Sequence, residues 1–290
     1  MLLSLFYSIA FFLQAILTPG SNRVNGKHVK IVHAKITRVS FIDPVICESS
    51  ALVKPDPDFD LYYSLNDSGS KPEIFAFNES GQLIDSMTIP NATNKDWEEL
   101  VYYKDTLQNP FFVIGDMGNN RNKRKDLCLY TYDVMNTTTS KHSFTYIDQT
   151  TFPPSKDSMG FDCEAFFRRD SSYYLISKNR GANDVKLYQL KQDTSAHIAH
   201  IKQTIRFKGM VTACSVFTEP TTHAEKIAVL LYGRIFLFHI ADSKDGIQLI
   251  PYGVIKFPSG GQSEGIAWYN QHELRATNER GKLFKIELKK

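Results

Sequence analysis

The sequence predicts an all-β fold, a β-propeller of five four-stranded blades, and three observations lead there. A unit of about 50 residues recurs five times; each copy divides into short apolar runs separated by polar turns; and the last copy ends one run short at Lys290, while an unassigned β-run, residues 28–41, stands near the other end. Periods of roughly 40 to 50 residues mark propellers, whose radial repetition leaves only short, protected sheet edges.

The copies open at Ser50-Ala51-Leu52, Glu98-Glu99-Leu100, Glu164-Ala165-Phe166, Cys214-Ser215-Val216 and Glu264-Gly265-Ile266, with start-to-start spacings of 48, 66, 50 and 50. A second apolar run follows each opening and ends in a polar turn, over residues 61–67, 111–116, 173–179, 227–233 and 273–279. A third run, over 73–77, 127–132, 186–190, 234–239 and 282–286, alternates as a half-buried strand does. A fourth, weaker run closes the first four copies at 83–89, 142–147, 200–207 and 247–257. Residues 28–41 are expected to supply the missing outer strand of the fifth and so close the ring. A sixth blade would have to come from the 66-residue gap, but residues 118–125 and 136–141 have loop composition there. A β-sandwich, or two small β domains, is the competing arrangement.

Residues 1–20 read as a signal peptide. The apolar run ends near Leu17, short of the ~20 residues a spanning helix needs, and small residues follow it. The expectation is a secreted chain with one propeller domain over residues 21–290 and no membrane association after cleavage. Sequons at Asn66, Asn78, Asn91 and Asn136 are candidate glycan acceptors in such a protein. A net charge of +3 gives no footprint for nucleic acid. Four cysteines are too few and too scattered for a CxxC zinc site.

Propeller geometry converts the repeat into a site, because inner strands line one channel and their starts share a face with the turns after the second strands. Glu98, Glu164 and Glu264 therefore meet Asn66, Asp67, Asp116, Asn119, Asn179, Asn278 and Glu279, with Asp96 and Asp162 just ahead of two of the glutamates. No basic residue falls among the aligned positions. Carboxylates crowded together need a compensating cation or protons. An all-oxygen set without His or Cys points to Ca²⁺ rather than zinc, copper or iron. The expected ligands are Glu98, Asp116, Glu164, Glu264, Asn66 and Asn179. The competing reading of the turn residues is that turns simply favour Asn, Asp and Gly.

The segments Cys47-Glu48-Ser49-Ser50-Ala51-Leu52, Ser64-Leu65-Asn66-Asp67-Ser68-Gly69, Lys95-Asp96-Trp97-Glu98-Glu99-Leu100, Ile114-Gly115-Asp116-Met117-Gly118-Asn119-Asn120, Asp162-Cys163-Glu164-Ala165-Phe166 and Ser263-Glu264-Gly265-Ile266-Ala267 resemble a family of secreted, largely uncharacterised β-propeller proteins with NDSG, DWEDL, GDxGDN, DAEAL and GEAIA motifs. The layout is more distantly similar to the six-bladed paraoxonase and gluconolactonase propellers, which implies a Ca²⁺-dependent lactonase or esterase as the alternative to a binding protein. Asp96 and Asp162 are the candidate catalytic bases for that alternative. The partner of the binding reading is an unidentified small molecule or protein at the channel mouth. Cys163 and Cys214 fall on neighbouring inner strands, where a disulfide is conceivable. Gly261-Gln262-Ser263-Glu264-Gly265 matches the G-x-S-x-G elbow but begins a β-strand, the wrong context for a nucleophile. The basic run 121–125 reads as a solvated loop. Trp97 and Trp268 either stack a ligand or fill the space between blades.

Overall fold

The structure is a computed structural model and describes residues 22–180, 184–192 and 197–289. Five small antiparallel sheets form a ring in chain order, a five-bladed β-propeller. Blade 1 comprises Tyr62–Leu65, Glu73–Phe77 and Leu83–Thr88, and its inner strand is reduced to the bridges Ser49↔Asn66 and Val53↔Tyr63. Blade 2 runs outward through Trp97–Lys104, Pro110–Asp116, Cys128–Asp133 and Thr138–Ser143. Blade 3 uses Cys163–Arg169, Ser172–Ser177, Asp184–Lys191 and Ile198–Arg206, with Thr145–Tyr146 added in parallel at its edge. Blade 4 consists of Val211–Thr218, Glu225–Leu231, Arg234–Ser243 and Gly246–Lys256. Ser263–Asn270, Glu273–Asn278 and Lys282–Leu288 make blade 5, and Ala34–Phe41 supplies its outer strand.

The closing strand is shorter than residues 28–41. Lys27–His28 pairs instead with Arg23–Val24, and Ile31 bridges Val254 of blade 4. The 66-residue gap holds the edge strand Thr145–Tyr146 and a one-turn 3₁₀ helix, Lys156–Ser158, rather than a sixth blade. The expected signal peptide lies outside the described residues, among which no helix is long and apolar enough to cross a membrane.

Burial explains the sequence pattern. Second strands are covered on both faces by neighbouring blades, so Ser172–Ser177 is buried throughout and Glu225–Leu231 ends in five buried residues. Outer strands such as Thr138–Ser143 are largely exposed and carry polar side chains. The core is accordingly divided into five hydrophobic clusters, one per blade interface, from the Leu65–Trp97–Tyr130 group between blades 1 and 2 to the Ile42–Phe77–Leu283 group that joins blade 5 to blade 1.

Candidate functional site

The inner strands of blades 2 to 5 each carry a β-bulge near their start, and the bulged residue is Glu98 in blade 2, Glu164 in blade 3, Thr212 in blade 4 and Glu264 in blade 5. A bulge inserts one residue out of register and re-aims its side chain, so the glutamates turn toward one end of the channel. Blade 4 corrects the sequence alignment. Cys214 lies two positions past the bulge, and Thr212 takes the glutamate's place, its hydroxyl donating to the Ser263 carbonyl at 2.6 Å. The true spacings from Glu164 to Thr212 and on to Glu264 are 48 and 52.

Two overlapping groups of carboxylates result: Asp67, Asp96 and Glu98, and Glu98, Asp162 and Glu164, each with one oxygen per residue within 4.8 Å of the others. Their charge is costly. Burial first, then Asp67 and Asp162, push the Asp96 carboxyl up to about 7. Burial, with Glu164 and Asp67, drives Glu98 well above the ordinary carboxylate range. Burial also raises Glu164 to about 8 and Glu264 to about 7, although Lys178 opposes both. Asp67 acts on Asp96, Glu98, Glu264 and Glu279, which places it amid acids from blades 2 and 5.

The expected absence of basic residues does not hold. Lys178 pairs with Glu164, and Arg180 pairs with Asp162 and, at 3.3 Å, with Glu164. Burial disfavours the Lys178 charge, but Glu164 outweighs it and holds the ammonium well above its usual pKa. Tyr232 adds a hydroxyl that donates to Glu264 at 3.1 Å. These groups flank the turn residues the repeat had aligned; a Lys two residues after the last apolar position of a strand was the available signal. Asp67, Asp96 and Glu98 have no ion pair among the described residues, so protons or a bound cation must offset their charge.

Two expected ligands, and the turn residue Asn278 aligned with them, have other work. Asn66, Asp116 and Asn278 end their second strands opposite the first residue of the inner strand. From there each ties down the segment entering its own blade: Asn66 donates to the Val45 carbonyl and accepts from the Glu48 amide, Asp116 accepts from the Asp96 amide, and Asn278 donates to the Ser259 carbonyl. Asp116 is also held by Arg124 at 2.8 Å, so the basic run 121–125 contributes a structural cation rather than only a solvated loop. Asn66 is buried, with both atoms of its side-chain amide hydrogen-bonded. Asn119 binds Asp162 through its amide at 2.7 Å and ties blade 2 to blade 3. Asn179 reaches toward Phe207 and Gly209, and its Oδ1 is buried without a hydrogen-bond partner among the described residues.

Gly118 is pressed against the site. A Cβ there would land on the Glu98 and Asp96 carboxylates, so only glycine lets the loop close over them. Below the carboxylates the channel is plugged. The position after the bulge holds Ala51, Ala165, Ala213 or Gly265 in four blades and Glu99 in blade 2. Glu99 extends past blade 3, accepting from the Cys214 amide of blade 4 at 3.0 Å and from the Leu100 amide at 3.1 Å.

Other sequence readings resolve simply. Cys163 and Cys214 are both free thiols, donating to backbone carbonyls of Ala165, Ile176 and Phe166, and form no disulfide. Trp97 and Trp268 are buried between blades, with indole N–H groups bonded to the Thr93 and Ser215 carbonyls. Ser263 is buried in its strand and has no partnered base.

No protein family matches the sequence, and no curated protein is significantly similar to it. Among solved structures, the Malassezia sympodialis allergen Mala s 1 is similar at 9% identity over 83% of this chain and 92% of its own, with a TM-score of 0.49. The Dos1 propeller is similar at 9% identity over 82% of this chain and 68% of its own, with a TM-score of 0.38. Likeness at that level says nothing about the site; the blade count rests on the strand pairing itself.

Proposed function

We propose that this is a secreted, non-enzymatic binding propeller whose acidic channel mouth holds Ca²⁺ and presents it to a small-molecule or protein ligand. The observation that supports this most is the Asp67–Asp96–Glu98 group, in which three carboxylates converge without an ion pair. All donors are oxygens, as Ca²⁺ prefers. Glu164 and Glu264 stand beside this group; their partners Lys178 and Tyr232 make them less available. The bound ion would screen the carboxylates and leave positions facing the mouth for an acidic or hydroxyl-bearing ligand. The hydrolase alternative needs a base outside the metal's coordination sphere. Asp96 and Asp162 both lie inside the two candidate ligand groups, which favours binding over turnover.

Calorimetric titration with CaCl₂, beside thermal melts, tests the proposal. Ca²⁺ at 100 times its dissociation constant should add about 2.7 kcal/mol of stability, and Glu98→Gln or Asp67→Asn should remove most of that gain. No heat and no shift in melting would overturn it. Calcium-dependent cleavage of lactones or aryl esters that falls about 10²- to 10⁴-fold in Asp96→Asn would replace binding with catalysis.

A further inference from the structure

The channel has a second opening at the far ends of the inner strands, where all five blades contribute to a cavity of about 210 Å³. Most of its lining residues are apolar, among them Leu52, Val101, Phe167, Val216 and Trp268, yet the surface they leave open is more polar than apolar, and no Asp or Glu is among them. Trp268 turns only its ring to the space, since Ser215 occupies its N–H. Two cations line the cavity, and they differ. Lys54 donates to the Phe59 carbonyl and sits over the Tyr62 and Tyr269 rings, with Asp56 and Asp60 nearby. Arg168 lies over the Tyr103 ring, 4.1 Å from its centroid, yet its Nε is buried without a hydrogen-bond partner and no carboxylate pairs with it among the described residues. Its neighbour Arg169 is the contrast, bonded to Glu225 at 2.7 Å and Asp242 at 2.6 Å.

A buried donor left unsatisfied costs on the order of 1–3 kcal/mol, more when charged. A guanidinium fork matches a carboxylate bidentately, and the Trp268 ring offers a face on which a flat aromatic body can stack. We propose that this cavity binds a small organic carboxylate with an aromatic body, its carboxylate on Arg168 and its ring toward Trp268. Because Glu99 plugs the channel between the two openings, the site is separate from the acidic mouth and independent of calcium.

Calorimetry in EDTA with benzoate, phenylacetate and indole-3-acetate tests this, with benzamide as the uncharged control. At least one acid should bind saturably, and benzamide should bind more weakly. Arg168→Gln should weaken the acid about tenfold or more, equivalent to about 1.4 kcal/mol. Arg168→Lys, which keeps the charge and loses the fork, should fall between, and melts of both variants report whether they are folded. Absence of binding by all three acids, equal binding of benzamide, or binding undiminished in folded Arg168→Gln would overturn the proposal.

Discussion

The two ends of the channel are built from the same five strands and carry opposite charge. At the strand starts, Asp67, Asp96, Glu98, Asp162, Glu164 and Glu264 crowd together against Lys178 and Arg180. At the strand ends, Lys54 and Arg168 line a cavity without a carboxylate. All inner strands run in the same direction around the axis, so a residue preference at one register position becomes a ring, and two preferences on one strand become two rings of different chemistry. The bulges sharpen the first ring by re-aiming its glutamates, and Glu99 separates it from the second.

The largest effect expected from disturbing this contrast is at Lys178. Removing one partner of a buried ion pair typically costs about 3–5 kcal/mol, so Lys178→Met should destabilise the calcium-free protein by that order in denaturant melts. The same variant should bind Ca²⁺ more tightly than the parent, because a competing cation has gone. A variant less stable with weaker calcium binding would show that Lys178 shapes the mouth rather than competing for it. Gly118→Ala comes next. Pushing a methyl into the Glu98 and Asp96 carboxylates should cost about 1–3 kcal/mol and abolish the calcium response while leaving the Arg168 cavity unchanged. Equal damage at both ends would mean that they are not independent.

The smallest effect is graded in pH. Asp96 and Glu264 hold their protons in the folded protein to about 7, whereas unfolded carboxyls release theirs near 4. The folded state therefore binds more protons between those values, and stability without calcium should fall as pH rises from about 5 to 7, by about 1.4 kcal/mol per pH unit for each extra proton retained. Saturating calcium should flatten that slope, since it stabilises the ionised form. Melting temperatures rising with pH in EDTA would contradict the raised values.

The fold was largely legible because its repeat is physical. A blade interior is covered on both faces, so its second strand must be apolar, and the buried Ile114, Leu175 and Val229 recur at one register position, each opposite the residue two past the bulge. The incomplete fifth copy likewise announced the closing strand, although its start shifted to Ala34 because Lys27–His28 found a nearer partner in Arg23–Val24. The site was half legible. Glu98, Glu164 and Glu264 followed from the strand starts. Cys214 was misplaced by two residues because blade 4 has Thr212 rather than a glutamate at the bulge, and a shift of two leaves the apolar alternation unchanged.

The sequence alone determined the number of blades, the order of strands and the acids at the strand starts, because those depend on hydrophobic period and on residue type at a repeated position. Only the tertiary structure decided which polar groups meet. Asn66 and Asp116 turned to their own blade's entry loops, Lys178 and Arg180 turned inward to the acids, Glu99 extended past blade 3, and Arg168 was left without an anion. Such choices depend on the directions of a few side chains around a narrow axis, where residues from 14 to 115 apart in sequence come within hydrogen-bond reach, and no local pattern encodes a distance between them.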